Sequence, residues 1–309
     1  MKQQRIGVSG LFTGRLSYGC MRIAGTWDPK AFTPEMDAKG RDAVIAAYEA
    51  GYALFDHADI YARGLCEEIF GRVLKEVPGM REDVVIATKC GIRFPGEPNS
   101  DSPHRYDFSK EHIINSCEAS LRRLQVEAID IYQLHRPDLL MDPDEVLEAF
   151  EQLHVQGKVR YFGVSNFLPS FVSLLQSALS MPLLVNQVEI HLGRLTCLYD
   201  GTLDQCLEQQ ITPLSWSPLG GGWLGDGGKA KDEKGEKLLE LLDKTAADHC
   251  VTRTVVALAW LLKHPSGIIP IVGSVNPERI RDAVKADELE LSREEWYRLL
   301  VAARGEALP

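Results

Sequence analysis

The chain has no G-x-G-x-x-G after its first strand, where that glycine fingerprint opens the first helix of an open dinucleotide-binding sheet. It has no C-x-x-C pair either. Its seven cysteines (Cys20, Cys66, Cys90, Cys117, Cys197, Cys206 and Cys250) are scattered and odd in number. That pattern excludes a disulfide framework or a zinc knuckle and points to reduced thiols in a cytoplasmic protein. No apolar run approaches the roughly 20 residues that span a bilayer. The opening Met1-Lys2-Gln3-Gln4-Arg5 lacks the apolar stretch of a secretory leader. Positive charge is also in deficit: 34 Lys and Arg stand against 44 Asp and Glu, a formal charge of −10 with no long basic run. Nucleic acid and anionic membrane are thereby excluded as main partners, though a local basic pocket is not.

What is present is the composition of an ordinary soluble enzyme, 45% hydrophobic and 25% charged over 309 residues. Short apolar segments alternate with helical patterns. Strands are expected near 16–19, 52–57, 84–89, 129–134, 159–164, 183–189, 212–217 and 268–272. Helices are expected over 41–49, 67–75, 109–124, 142–156, 169–180, 203–209, 237–249, 254–263, 277–286 and 293–303. Ser109 is placed to cap one helix and Pro143 to begin another. Strand–helix alternation with short links implies a parallel sheet, and eight units at this length favour closure. The expectation is therefore an α/β protein. It is a (β/α)8 TIM barrel in a single domain, 1–309, with additional C-terminal helices and a long proline-rich loop at about 91–108.

In such a barrel the C-terminal strand ends converge on one face. Here those ends carry Asp56, Lys89, His135, Ser165-Asn166, Gln187, Trp216-Ser217 and Gly273-Ser274. Each has a bland alternative. Asp56 could cap a loop, His135 could be a satisfied core histidine, and Trp216 could be a core aromatic. Asp56, Tyr61, Lys89 and His135 taken together suit one reaction. A phenol with a reference pKa near ~10 is a poor acid at neutral pH, and a nearby ammonium lowers that pKa. A carboxylate holds the ammonium charged, and a histidine beside the phenol hydrogen-bonds a carbonyl oxygen. The set protonates that oxygen while hydride arrives at carbon.

In family order, this tetrad resembles that of the aldo-keto reductases. The likeness continues through Gly163-Val164-Ser165-Asn166-Phe167, Asn186-Gln187-Val188-Glu189 and Trp216-Ser217-Pro218-Leu219-Gly220, and ends at Gly273-Ser274 with Pro277-Glu278-Arg279-Ile280. The stretches around Asp56, Lys89 and His135 are most similar to a weakly characterised bacterial oxidoreductase subgroup. The resemblance implies an NADP(H)-dependent reductase of aldehydes or ketones, with Tyr61 as general acid, Lys89 and Asp56 tuning it, and His135 orienting the carbonyl. It implies that Ser165, Asn166 and Gln187 hold the nicotinamide carboxamide, for which Asn and Gln supply both donors and acceptors, and that Trp216 stacks on the ring. Gly19, Cys20 and Met21 would join the cofactor site. Ser217, Pro218, Leu219, Gly220 and Gly221, with Gly222, would line the pyrophosphate, since glycines admit close backbone approach. Ser274 and Arg279 would meet the adenosine 2′-phosphate, and Asp282 the adenine.

The chain departs from the family where many members have Lys and it has Gly273, and where many have Asn and it has Ala283. Arg136 stands where many relatives have Trp. It either adds positive charge at the substrate mouth or pairs with Asp138, and the ion pair is the favoured expectation. The substrate walls are expected from Met21, Arg22, Trp27, Phe94 and Arg136, with no long C-terminal substrate loop after Arg304. The only macromolecular association expected is a monomer or weak homo-oligomer. Two other classes compete. A metal-dependent barrel hydrolase would use Asp56-His57-x-Asp59 with His135, but leaves Lys89 and the Asn186-Gln187 pair without roles. A cofactor-bound regulatory subunit is the other.

Overall fold

A computed structural model describes all residues from Met1 to Pro309. A hairpin of β1 (Gln3–Arg5) and β2 (Phe12–Gly14) precedes the first barrel strand, β3 (Ser17–Gly19). Helix α1 (Pro34–Glu49) leads to β4 (Leu54–Asp56). Helix α2 (Leu65–Glu76) and one further turn, α3 (Met80–Asp83), lead to β5 (Val85–Cys90). A small antiparallel pair, β6 (Ile92–Arg93) and β7 (Arg105–Tyr106), precedes α4 (Lys110–Leu124). The alternation then runs β8 (Ile129–Leu134), α5 (Pro143–Val155), β9 (Val159–Ser165), α6 (Pro169–Ala178), β10 (Leu183–Glu189), α7 (Thr202–Glu208) and β11 (Thr212–Trp216). Helices α8 (Glu233–Asp248) and α9 (Arg253–Leu262), strand β12 (Ile269–Val272), and helices α10 (Pro277–Ala283) and α11 (Arg293–Arg304) complete it.

The barrel closes in the order β10-β11-β12-β3-β4-β5-β8-β9, with parallel pairing throughout. All eight expected strands are therefore present. Residues two apart share a face of a strand, so Leu54 and Asp56 both point inward, as do Val85, Ala87 and Lys89. The lower interior is apolar. Leu54, Val85, Ala87, Ile131, Leu214 and Ile269 meet there, and Ile6 from the β1–β2 hairpin joins them. The hairpin thus plugs the N-terminal end, where Gly7 N donates to Thr212 Oγ1 at 2.8 Å. The other end, where the inward residues turn polar, is left open.

Helix termini follow local chemistry. Ser109 Oγ accepts from His112 N, and Asp142 caps the helix that Pro143 begins. Two expectations need correction. Helix α1 starts at Pro34, not near 41: Thr33 caps it and Pro34 occupies its first turn. Its early turns are polar, so the apolar pattern alone reveals only the C-terminal half. The 91–108 segment is not a plain loop, because it contains β6 and β7. At two residues each, these strands are too short to show alternation.

Candidate active site

Asp56 ends β4 and Lys89 lies in β5, and their register brings them together over the apolar plug. Lys89 is fully buried, and its ammonium has three acceptors. Nζ donates to Asp56 Oδ2 at 2.8 Å, to the His57 carbonyl at 2.6 Å and to Tyr61 Oη at 3.2 Å. An ammonium has three N–H bonds, so its donors are all used. Burial pushes the Lys89 pKa down, but Asp56 first and then Tyr61 outweigh it and hold Lys89 above its ordinary value. The other Asp56 oxygen, Oδ1, accepts from Gln187 Nε2 at 2.7 Å.

Tyr61 and His135 form the visible surface of this cluster, 8% and 7% exposed, with their rings edge-to-face at 6.0 Å. The expected lowering of the Tyr61 pKa requires correction. Burial raises it, Lys89 opposes, and Asp56 adds to the rise, so the phenol stays above its ordinary value. The cause is desolvation of the anion, which a count of neighbouring charges misses. Burial, then Lys89 and Arg136, push the His135 pKa well down, so the ring is neutral at neutral pH. Its Nδ1 is buried without a partner, which leaves the Nε2 edge toward the open cleft.

The turn carrying Tyr61 is strained. Ala62 (φ 47°), Arg63 (φ 55°) and Gly64 (φ 91°) are consecutive left-handed residues, a conformation costly for side chains other than glycine. A Cβ on Gly64 would stand 2.5 Å from Arg123 Cδ. Arg123 Nε donates to buried Glu67 at 2.7 Å, and Thr88 Oγ1 donates to the other Glu67 oxygen at 2.6 Å. These contacts fasten the turn to α4 and β5.

A cleft of about 470 Å³ runs from this cluster across the open barrel end. Gly19, Met21, Arg22, Trp27, Arg136, Ser165, Asn166, Gln187, Trp216, Ser217, Pro218, Leu219, Gly221, Gly273, Ser274, Arg279 and Asp282 line it with the tetrad members Asp56, Tyr61 and His135. Asn166 bridges several of these. Its Nδ2 donates to the His135 carbonyl (3.2 Å) and to Ser165 Oγ (2.8 Å), and its Oδ1 accepts from Trp216 Nε1 (2.9 Å). Ser165 Oγ in turn donates to the Gln187 carbonyl at 2.9 Å.

Four expectations about position fail. Cys20 is wholly buried, and burial raises its thiol pKa well above the ordinary value, so it lies beneath the cleft wall. Gly220 faces Trp223, where a Cβ would meet Nε1 at 2.3 Å, and the cleft is lined by Gly221 and Gly222 instead. Phe94 lies outside, with the Arg63 guanidinium 4.6 Å over its ring. Arg136 does not pair with Asp138. Asp138 accepts from the backbone N–H of Phe108 and of Leu140, each at 3.0 Å, while Arg136 lies 5.4 Å over the Trp216 ring. The set proposed for metal also disperses: His57 packs on Phe70 at 4.5 Å, on the helix side of the strand from Asp56.

Ile60, Ile92, Asp226 and Thr254 line the cleft without having been singled out. Asp226 N donates to Thr254 Oγ1 at 3.1 Å, and Arg253 Nη1 reaches the carbonyl of Gly228 at 3.1 Å, tying the glycine-rich loop to α9. Only the glycine density of 220–228 signalled this region, and glycines alone do not say where a loop folds back.

The model of the aldo/keto reductase family matches residues 15–302. The uncharacterized oxidoreductase YcsN of Bacillus subtilis is 43% identical over 275 residues, 88% of this chain and 91% of that protein. A 6-dehydroglucose reductase of Novosphingobium aromaticivorans is 38% identical over 99% of this chain and 97% of its own length. Among solved structures, a glycerol dehydrogenase of Gluconobacter oxydans superposes with a TM-score of 0.86 at 27% identity, covering 99% of this chain and 97% of that one. A thermostable aldo-keto reductase crystallised with epalrestat gives 0.83 at 27% identity, covering 98% and 100%.

Proposed function

The chain belongs to the aldo/keto reductase family, and from that premise we propose that it is an NADPH-dependent reductase of aldehydes or ketones in which Tyr61 delivers the proton. The observation that carries the reading is the buried Asp56–Lys89–Tyr61 chain, with contacts of 2.8 and 3.2 Å, emerging beside His135 at the cleft floor. Isolated buried charges are costly, and here each has its partner.

The residues around the cleft fit a nicotinamide dinucleotide phosphate. Gln187, Asn166 and Trp216 meet beside the tetrad. Gly221 and Gly222 line the cleft with positive φ, and no Cβ screens their backbone. Arg279 lines the cleft beside Ser274 and enters none of the ion pairs of the chain. In this reading Arg279 and Ser274 hold the 2′-phosphate, the glycine turn follows the pyrophosphate, and Ser165, Asn166 and Gln187 orient the carboxamide. When bound, the reduced nicotinamide supplies the hydride. The protein's share is positional and acid–base. His135, neutral, donates from Nε2 to the carbonyl oxygen. Tyr61 Oη gives that oxygen its proton, and Lys89 stabilises the phenolate left behind. Gln187 holds Asp56 so that Asp56 can hold Lys89.

Absorbance-monitored oxidation of NADPH over a carbonyl panel, with NADH run in parallel, tests this. Tyr61→Phe is expected to lower turnover by about 10²- to 10⁴-fold, the usual weight of a positioned general acid, while tryptophan quenching by NADPH persists. Surviving turnover would remove Tyr61 from the proton-donor role. Arg279→Ala is expected to weaken NADPH binding roughly tenfold or more, as the loss of a charge-assisted contact does, with little change for NADH. Equal losses for both cofactors would count against 2′-phosphate recognition.

A further inference from the structure

Arg136 follows His135 directly and lies in the cleft, half-buried. The nearest acid in sequence, Asp138, has both oxygens committed to the backbone of Phe108 and Leu140. None of the ion pairs of the chain includes Arg136. The Trp216 ring, 5.4 Å from the guanidinium carbon, keeps the cation inside the cleft rather than in solvent. A second arginine, Arg22, also lines the cleft and is likewise outside every ion pair. Of the three acids that line the cleft, Asp56 is bound by Lys89 and Gln187, Asp226 accepts from Thr254 Oγ1 and Asp282 pairs with Lys285. Two unpaired guanidinium groups therefore stand beside the tetrad in a chain of net charge −10. Such a pocket concentrates anions against the field of the whole molecule.

We propose that Arg136 is a specificity residue that binds the negatively charged group of an anionic aldehyde or ketone, with Arg22 as the second cation at the mouth. The inference rests on the carbonyl-reductase reading and narrows it to a substrate class: a carbonyl compound carrying a carboxylate or phosphate. The planar guanidinium suits both anions, since its parallel N–H groups match two oxygens. A cofactor phosphate is the other anion that a cleft arginine can serve. Its place argues otherwise: Arg136 follows the tetrad histidine after β8, whereas Arg279 stands after β12.

The test compares two pairs of matched substrates with NADPH: 4-carboxybenzaldehyde against its neutral methyl ester, and succinic semialdehyde against butanal. The longer and shorter acids sample different reaches from the carbonyl to Arg136. The wild-type enzyme is expected to prefer the anion in at least one pair by about tenfold or more in kcat/KM, a single charge-assisted contact, mostly through KM. The preference should shrink as salt rises. Arg136→Gln should reduce the anion-to-neutral ratio at least about tenfold, and Arg136→Lys should restore part of it, which a merely structural arginine would not allow. Equal use of anion and neutral partner in both pairs, or a ratio untouched by Arg136→Gln, overturns the proposal while leaving the reductase reading standing. A rise in the NADPH Kd by the same factor as the ratio falls would assign Arg136 to a cofactor phosphate and overturn it too. Turnover of neither member of either pair by enzyme that still binds NADPH would sink the reductase reading, and this inference with it.

Discussion

Asp56 and Tyr61 face the cleft, whereas His57 and Asp59, from the same turn of chain, face the helices outside the barrel. The two sides are solved differently. On the cleft side both Asp56 oxygens and all three Lys89 protons have partners within 3.2 Å. On the helix side His57 is wholly buried with neither ring nitrogen bonded, and Asp59 Oδ1 is buried without a partner. Burial pushes the His57 pKa down to about 3. Burial, helped by Glu67 and opposed by Arg123, pushes Asp59 up to about 8. His57 is therefore neutral at neutral pH, the half-buried Asp59 is pushed the same way, and neutrality stands in for a partner. Four reactive-looking residues lie within six positions, yet only the two whose charges are balanced face the place where a substrate fits.

The largest expected break in this comparison is Lys89→Met. It leaves the Asp56 carboxylate buried and short of its main partner, which makes the cleft side worse than the helix side. Removing one member of a buried ion pair costs about 3–5 kcal/mol, so denaturant unfolding is expected to show a loss of that order together with loss of turnover. The double variant Lys89→Met/Asp56→Asn should regain much of the stability and none of the activity, because contacting residues are not additive. A Lys89→Met protein as stable as wild type would show that the pair is not what balances Asp56.

The same contrast explains how much of this was legible in the sequence. The barrel was legible because β5, β8, β9 and β10 are largely apolar and each carries a polar residue at or next to its C-terminal end, namely Lys89, His135, Ser165 and Glu189. The tetrad was legible because its members occupy successive strand ends. The Tyr61 environment was not: whether Lys89 lowers its pKa depends on how much water burial removes, which neighbouring letters do not encode. The left-handed run Ala62-Arg63-Gly64 was hidden for a related reason, since two of its three residues are not glycine and only the fold sets Arg123, from α4, against Gly64. Phe94 and Arg136 were misplaced because partner choice between nearby side chains, Arg63 for one and Trp216 for the other, is settled only by the fold.

The smallest expected effect lies on the helix side, at Asp59. Its folded pKa of about 8 lies above the ordinary carboxylate value near ~3.9 of an unfolded chain. Between those two values the folded protein keeps a proton that the unfolded chain has lost. By linkage, this group's contribution is complete below the unfolded value and drains away as pH rises through about 8. Asp59 should therefore add a downward component to the wild-type Tm between roughly pH 5 and 8, set against the upward component that His57 and His135, pushed down by burial, give as pH rises toward neutrality. Asp59→Asn carries no proton to lose, so its Tm should lack that downward component across the interval. The cleft-side ammonium should not produce it, because Asp56 and Tyr61 hold the Lys89 pKa above its ordinary value. Melting curves at closely spaced pH decide it: if the Asn variant keeps the wild-type slope, Asp59 is already ionised in the fold and the two sides of the strand end are not different in kind.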